Sequence, residues 1–249
     1  MQQTIIYEPS DDSFLLQKHV KKLATGLVLD MGTGSAIQAN TAAKKTSVKK
    51  VIAIDIQKGV IEHCKKTIKN KKIQFYQSDL FEIFNKNQLL KNLKFDTIIF
   101  NPPYLPAEVR LQDMTLDGGK KGYEIIEKFL LQVNNYLTSN GKILLLFSSL
   151  TNKEKIHEIL IKNFQLPQNL ETKKIFFEEL YIYLIEKNNL QQELEKNKFT
   201  NISYFTKGHR GFLHKANFNK KKVMIKSNNP KSQAINRIQN ETKWLKLLN

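Results

Sequence analysis

From residue 27 onward the chain alternates short apolar runs, rich in β-branched and aromatic residues, with stretches whose apolar positions recur at helical spacing. The runs Leu27–Leu29, Val51–Ile54, Ile73–Phe75, Thr97–Phe100, Ile143–Phe147 and Leu180–Ile185 predict strands. Helices are expected at 36–45, 58–70, 122–137 and 152–163. Strands and helices alternating in units of roughly 20–30 residues predict an α/β fold, a parallel sheet with helices on both faces. After the last strand comes the polar stretch NNLQQELEKNK, which marks a boundary near 187–200. The expected organisation is a first domain over 1–187, a linker over 188–199 and a second segment over 200–249.

Four polar residues punctuate this pattern. Asp30, Asp55, Asp79 and Asn101 lie 25, 24 and 22 residues apart, each just after a strand run. In open α/β sheets the C-terminal strand edge is where ligands bind, next to the switch in strand order. The stretch DMGTGSAIQA has Gly32 and Gly34 around Thr33, a turn in which the backbone can approach a ligand that a Cβ would block. Asp55, with Ile56 beside it, stands about 20 residues on, where a carboxylate binds the hydroxyls of a ribose. Enzymes that bind nicotinamide dinucleotides share this pair, so it indicates a nucleoside cofactor without choosing one. Asp79, between Ser78 and Leu80, is placed to accept from an adenine amino group, although such an Asp is also an ordinary turn residue.

Asn101-Pro102-Pro103-Tyr104 narrows the chemistry. Two prolines stiffen the turn and remove backbone donors, leaving carbonyl acceptors free, while Asn101 adds a side-chain acceptor and Tyr104 a flat apolar surface. An NH2 group on an sp2 carbon needs such a site. Its lone pair is delocalised, and acceptors that grip both N–H bonds favour the charge that develops as nitrogen attacks a sulfonium methyl.

The opening TIIYEPSDDSFLL, the DMGTGSA loop, NPPY and LDGGKKGYEII together resemble the archaeal and eukaryotic branch of HemK-type glutamine methyltransferases, over residues about 4–187. The resemblance implies a seven-stranded Rossmann-like fold, S-adenosylmethionine as cofactor, and methylation of the glutamine of the Gly-Gly-Gln motif in a translation release factor. Some relatives act on protein lysine. It implies that Asn101 and the Pro102 carbonyl hold the target NH2, with Pro103 and Tyr104 completing the site and Tyr104 packing on it. Asp30, Gly32, Thr33, Gly34, Asp55, Ile56, Asp79, Leu80 and Asn101 would contact the cofactor, with Tyr7, Glu8, Pro9 and Asp12 as an N-terminal lip. Where the family usually reads GTGSG, position 36 is Ala, a small residue expected to be tolerated. The resemblance also implies a small zinc-binding activator protein at the sheet edge, on the strand containing Ile73 and Phe75. The loop Asp117–Gly122 is either a lid over the substrate or a plain turn.

Composition adds limits. An apolar content of 41% suffices for a core, and the single cysteine, Cys64, excludes a disulfide framework. The five histidines show no metal-ligand spacing, and no apolar run approaches the length of a membrane span. The expectation is a soluble, cytoplasmic protein with no metal of its own. The formal charge of +17 divides into +7 for residues 1–187 and +10 for 188–249. That basic C-terminal piece looks like the beginning of an archaeal-type protein-kinase small lobe: Gly208 and Gly211 resemble a phosphate-covering loop, Lys226 in VMIK the strand lysine, and Glu241 its helix partner. No H-R-D or D-F-G follows, so a working kinase would need the remainder supplied by another chain. The plainer reading is a basic tail that contacts RNA. For the whole chain the rivals are an adenine or cytosine amino-methyltransferase, since NPPY suits that chemistry too, a lysine methyltransferase, and a scaffold without turnover.

Overall fold

The computed structural model describes residues 6–104, 122–164, 167–187, 189–208 and 211–228. The chain divides into two compact units, Met1–Lys187 and Asn188–Asn249. In the first, β1 (Gly26–Met31), β2 (Val48–Asp55), β3 (Ile73–Gln77), β4 (Phe95–Phe100), β5 (Leu137–Ser148), β6 (Gln168–Ile175) and β7 (Glu178–Glu186) form one sheet in the order β3-β2-β1-β4-β5-β7-β6. Its helices are α1 (Asp11–Leu23), α2 (Ile37–Ala43), α3 (Lys58–Thr67), α4 (Glu82–Lys86), α5 (Glu124–Gln132) and α6 (Lys153–Asn163).

Successive strand residues face opposite sides of the sheet, and both sides are covered. Leu29, Ile52, Ile54, Ile98, Phe100, Leu145 and Phe147 pack with Phe84, Ile126, Phe129, Ile156 and Leu160 from α4, α5 and α6. Their neighbours Val28, Val51, Ala53, Ile99, Leu144 and Leu146 pack on the other side with Leu16 and Val20 of α1, Ala39 and Ala42 of α2, and Val60 and Cys64 of α3. Burial on both faces is why these strands read as continuous apolar runs.

Two features depart from the pattern-based expectation. The sheet has a seventh strand, β6, and it is mixed: β1 to β5 run parallel, whereas β7 is antiparallel to both β5 and β6. A turn of only two residues, Phe176 and Phe177, joins β6 to β7, and so short a link permits only antiparallel pairing. β3 and β6 are the edges of the sheet. Chain order reverses between β1 and β4, which pair through Met31 and Phe100, so the residues that follow them, Gly32 and Asn101, leave the sheet side by side.

In the second unit the stretch expected as a linker contains α7 (Asn189–Lys196). It is helical because Leu190 and Leu194 recur at helical spacing and have a small core to join, made with Phe199, Ile202, Ala216, Val223 and Ile225. Three antiparallel strands follow, β8 (Thr200–Gly208), β9 (Gly211–Phe218) and β10 (Lys221–Asn228), in the order β10-β9-β8. Glu241 and residues 117–121 of the glycine-rich loop lie outside the described residues.

Candidate active site

A cleft of about 180 Å3 opens at the C-terminal edge of β1, β2 and β4. The β1 exit supplies its floor. Gly32 and Gly34 have φ of +64° and +49°, the left-handed region in which a side chain is strained, and both line the cleft. The loop is pinned from below: Thr33 N donates to Ile54 O at 2.8 Å, and Asp30 Oδ2 accepts from Thr33 Oγ1 at 2.6 Å and from Ala39 N at 3.0 Å. Burial pushes the Asp30 carboxyl up to about 7, with the Asp55 carboxylate adding a little, against the pull of those two donors. Position 36 does more than fit a small side chain: Ala36 precedes the first turn of α2 with φ of +61°, fully buried.

Asp55 closes the β2 side. Its Oδ2 accepts from Gly34 N at 3.0 Å and its Oδ1 from Gln57 N at 2.9 Å, while burial raises its pKa. Ser78, just past β3, donates from N to Asp55 O at 2.9 Å and from Oγ to Leu80 O at 2.9 Å. Leu80 takes a left-handed φ of +42°, and the exposed Asp79 stands at the mouth with Ile56.

Asn101 occupies the β4 exit. Its Nδ2 donates to Asp12 Oδ2 at 2.9 Å, and because a carboxylate can only accept, this fixes which way the amide points. Asn101 Oδ1 is buried and, among the described residues, has no hydrogen-bond partner, although Asn101 lines the cleft. Asp12 is itself buried and held through Oδ1 by Ser10 Oγ at 2.8 Å and Ser13 Oγ at 3.1 Å. Tyr104 belongs to the buried cluster that also contains Leu144, Leu146, Leu180 and Ile182; burial, with Asp12 and Glu178 nearby, holds its phenol well above the ordinary value. Tyr7, whose hydroxyl meets Ser10 Oγ at 2.9 Å, is raised to about 12 by burial, with Asp12 contributing.

Of the residues expected at the site, Tyr7, Asp30, Gly32, Thr33, Gly34, Asp55, Ile56, Asp79, Leu80, Asn101 and Pro103 line the cleft. Asp12, Pro102 and Tyr104 are buried outside its lining; Glu8 is exposed and Pro9 partly buried. Sequence reasoning missed Ser13 and Gln38. Gln38 Nε2 donates to Ser13 O at 2.8 Å, which leaves Gln38 Oε1 a second buried acceptor in the cleft wall without a partner among the described residues. No local signal marks it, because the bond joins α1 to α2 across 25 residues.

A glycine cradle on a strand-to-helix turn, a carboxylate at the next strand end and an unmatched amide acceptor at the switch point define a class I methyltransferase. The comparisons agree. The methyltransferase small domain family matches residues 11–177, and this chain belongs to that family. It is 36% identical over 185 residues to the Methanocaldococcus jannaschii protein named "Putative protein N5-glutamine methyltransferase", spanning 71% of this chain and 89% of that one. A chain of the E. cuniculi Mtq2-Trm112 complex, responsible for methylation of the eRF1 translation termination factor, superposes with a TM-score of 0.56 at 25% identity, covering 74% of this chain and 99% of that one. A tRNA1(Val) (adenine(37)-N6)-methyltransferase of Actinobacillus pleuropneumoniae is 26% identical over 121 residues, 47% of this chain and about half (49%) of that enzyme's length. The cofactor of such a methyltransferase is S-adenosylmethionine. The cleft fits it: the glycine turn admits close approach, Asp55 suits a ribose, and Gln38 Oε1 is an acceptor awaiting a donor.

Proposed function

We propose that this chain methylates the side-chain amide nitrogen of a protein glutamine, that of the Gly-Gly-Gln motif in a translation release factor. The observation that carries the reading is Asn101 Oδ1, a buried acceptor without a partner at the β4 exit, its orientation fixed by the bond from Nδ2 to Asp12. Burying an acceptor unmatched costs about 1–3 kcal/mol, a cost removed when an incoming N–H binds. A glutamine amide offers two such hydrogens. When bound, S-adenosylmethionine would supply the electrophilic methyl group, its S–CH3 bond breaking to give a neutral thioether. Asn101 Oδ1 accepts from one N–H of the amide, the Pro102 carbonyl from the other, and Tyr104 backs the planar group. As nitrogen bonds to carbon it gains positive charge, which both acceptors stabilise, and the extra proton passes to water. Alignment of this kind is worth roughly 7–11 kcal/mol in favourable cases.

The names of the M. jannaschii and E. cuniculi relatives support glutamine and a termination factor. The second of them, a complex, also supports a partner subunit; that this partner is a small zinc-binding activator on the β3 edge is what the family resemblance implies. Residues 1–187 form the methyltransferase domain. For the second unit we propose kinase small-lobe ancestry: Gly208 and Gly211 pair at the β8–β9 turn and Lys226 lies on the neighbouring β10, the arrangement that a phosphate-covering hairpin and its strand lysine require. Co-purification of a chain bearing kinase catalytic loops would support this, and salt-sensitive RNA binding by 188–249 would argue instead for a basic tail.

The test is methyl transfer from labelled S-adenosylmethionine to a release factor, with and without the activator. Label that vanishes when the motif glutamine becomes Ala supports the reading. Label on RNA, or on lysine, replaces it with one of the rivals.

A further inference from the structure

The β6–β7 hairpin ends in Phe176 and Phe177, which are 90% and 99% exposed. Phe176 moreover has a φ of +43°, at a turn position where a two-residue hairpin ordinarily uses Gly, Asn or Asp. Neither feature serves folding: the rings bury nothing, and the backbone is strained to present them. Their location is specific. β6 is parallel to β5, so its C-terminal end lies on the same sheet edge as Asn101. Ile175, the residue before the turn, packs with the cluster that contains Tyr104, and Glu178, the residue after it, acts electrostatically on Tyr104 and Tyr7. Lys173 Nζ ties β6 to Asp11 Oδ1 at 2.9 Å, one residue from Asp12. Phe14, 54% exposed in the first turn of α1, and Leu150, 39% exposed in the turn after β5, stand at the same edge.

We infer that Phe176 and Phe177 form a docking surface for the acceptor protein, gripping an apolar segment beside its target glutamine. This rests on the glutamine reading above. The charge around the rings selects the occupant. Four carboxylates, Glu8, Asp11, Glu178 and Glu179, stand on the segments that form this lip, against one exposed lysine, Lys174, which pairs across the hairpin with Glu179; Lys173 is engaged with Asp11, and Lys153 lies over the Tyr181 ring, on a chain whose net charge is +17. Exposed aromatics can stack on bases, but a nucleic-acid backbone brought here would meet carboxylates, whereas an apolar or basic protein segment would not. Exposed apolar surface with a polar rim is the usual mark of a protein contact.

The test compares two substrates of the full-length enzyme with its activator: intact release factor, and a short peptide carrying only the Gly-Gly-Gln sequence. The variant combines Phe176→Gly, which removes a ring and relieves the strained φ, with Phe177→Ser. The expected result is a KM for the intact protein raised roughly tenfold or more, as loss of a central aromatic anchor gives. kcat on the intact protein and kcat/KM on the peptide should stay within about twofold, since the hairpin tip is outside the reacting site. An unchanged KM overturns the docking surface while leaving the glutamine reading intact. Equal losses on protein and peptide also overturn it, because the hairpin would then act on the site itself. Wild-type transfer to RNA that the variant loses would make the rings a base-stacking platform. If the wild type labels neither protein nor peptide, the glutamine reading fails first.

Discussion

Replacing Asp12 with Ala separates two roles for the N-terminal YEPxxD stretch. Its family resemblance makes Asp12 part of the cofactor lip, but its carboxylate is bonded to Asn101 Nδ2 at 2.9 Å and is absent from the cleft lining. A hydrogen bond to a charged group contributes about 1.5–3 kcal/mol. In Asp12→Ala nothing holds Nδ2, and the amide is free to flip and present a donor to the substrate's own N–H. Losing that orientation preference lowers kcat roughly 10- to 100-fold, at 1.36 kcal/mol per decade. Asp12→Asn keeps an acceptor without the charge and should fall between, since charge-assisted bonds are about twice as strong as neutral ones. Single-turnover methyl transfer measures the rate, and calorimetry measures S-adenosylmethionine affinity on the same samples. The expected pattern is a graded loss in rate with Kd within about twofold. A rate unchanged in Asp12→Ala, or a Kd that rises while the saturated rate holds, would falsify the positioning role and return Asp12 to the cofactor.

Other consequences follow from the same site. Ala36→Gly relieves a left-handed backbone worth about 1–2 kcal/mol, gives up one buried methyl worth about 0.8 and adds about 0.4–1 of unfolded-chain entropy, so stability in a thermal melt should stay within about 1 kcal/mol of wild type; a loss of about 2 kcal/mol contradicts the strain. Gln38→Leu removes an unmatched acceptor of similar size from the cleft wall, and S-adenosylmethionine should bind roughly tenfold more weakly; unchanged affinity means that Gln38 Oε1 faces no ligand donor. Asp30 titrates near 7 when folded against 3.8 as the ordinary value, so the folded state holds a proton that the unfolded chain has lost. Its contribution to stability is therefore full below pH about 4 and is lost as pH rises to about 7, at about 1.4 kcal/mol per unit of difference. The stability of Asp30→Asn relative to wild type should rise over that window in denaturant melts without cofactor, and a flat difference contradicts the raised pKa.

Five of the six strands legible in the sequence are buried on both faces, and the sixth, β3, shows itself through the buried Ile73 and Phe75. β1, β2, β4, β5 and β7 are runs of Val, Ile, Leu, Phe and Tyr, and the polar residue that closes β1, β2 or β4 stands out against them. β6 was not legible because its sequence QNLETKKI buries too little to show a pattern, unlike the other edge strand, β3. Without β6 the two-residue turn that reverses β7 is invisible as well. α1 carries its own signals, Asp11 and Asp12 in the first turn and Lys21 and Lys22 in the last, which suit the helix dipole. The three strand-end aspartates look alike in sequence, yet Asp30 and Asp55 are buried in networks while Asp79 is exposed. What no local pattern could report are pairings over distance: Asn101 with Asp12, 89 residues apart, and Gln38 with Ser13. Those pairings turn motif residues into oriented acceptors.

The central claim is that Asn101 presents its amide oxygen to a glutamine NH2 across from bound S-adenosylmethionine. The most direct measurement is tandem mass spectrometry of release factor incubated with the cofactor and either wild-type enzyme or Asn101→Ala, with cofactor affinity recorded for both. The account predicts one methyl group on the side-chain nitrogen of the Gly-Gly-Gln glutamine with wild type, and none with a variant that still binds cofactor. A methyl group on another residue, or on that glutamine at an undiminished rate in Asn101→Ala, would contradict it.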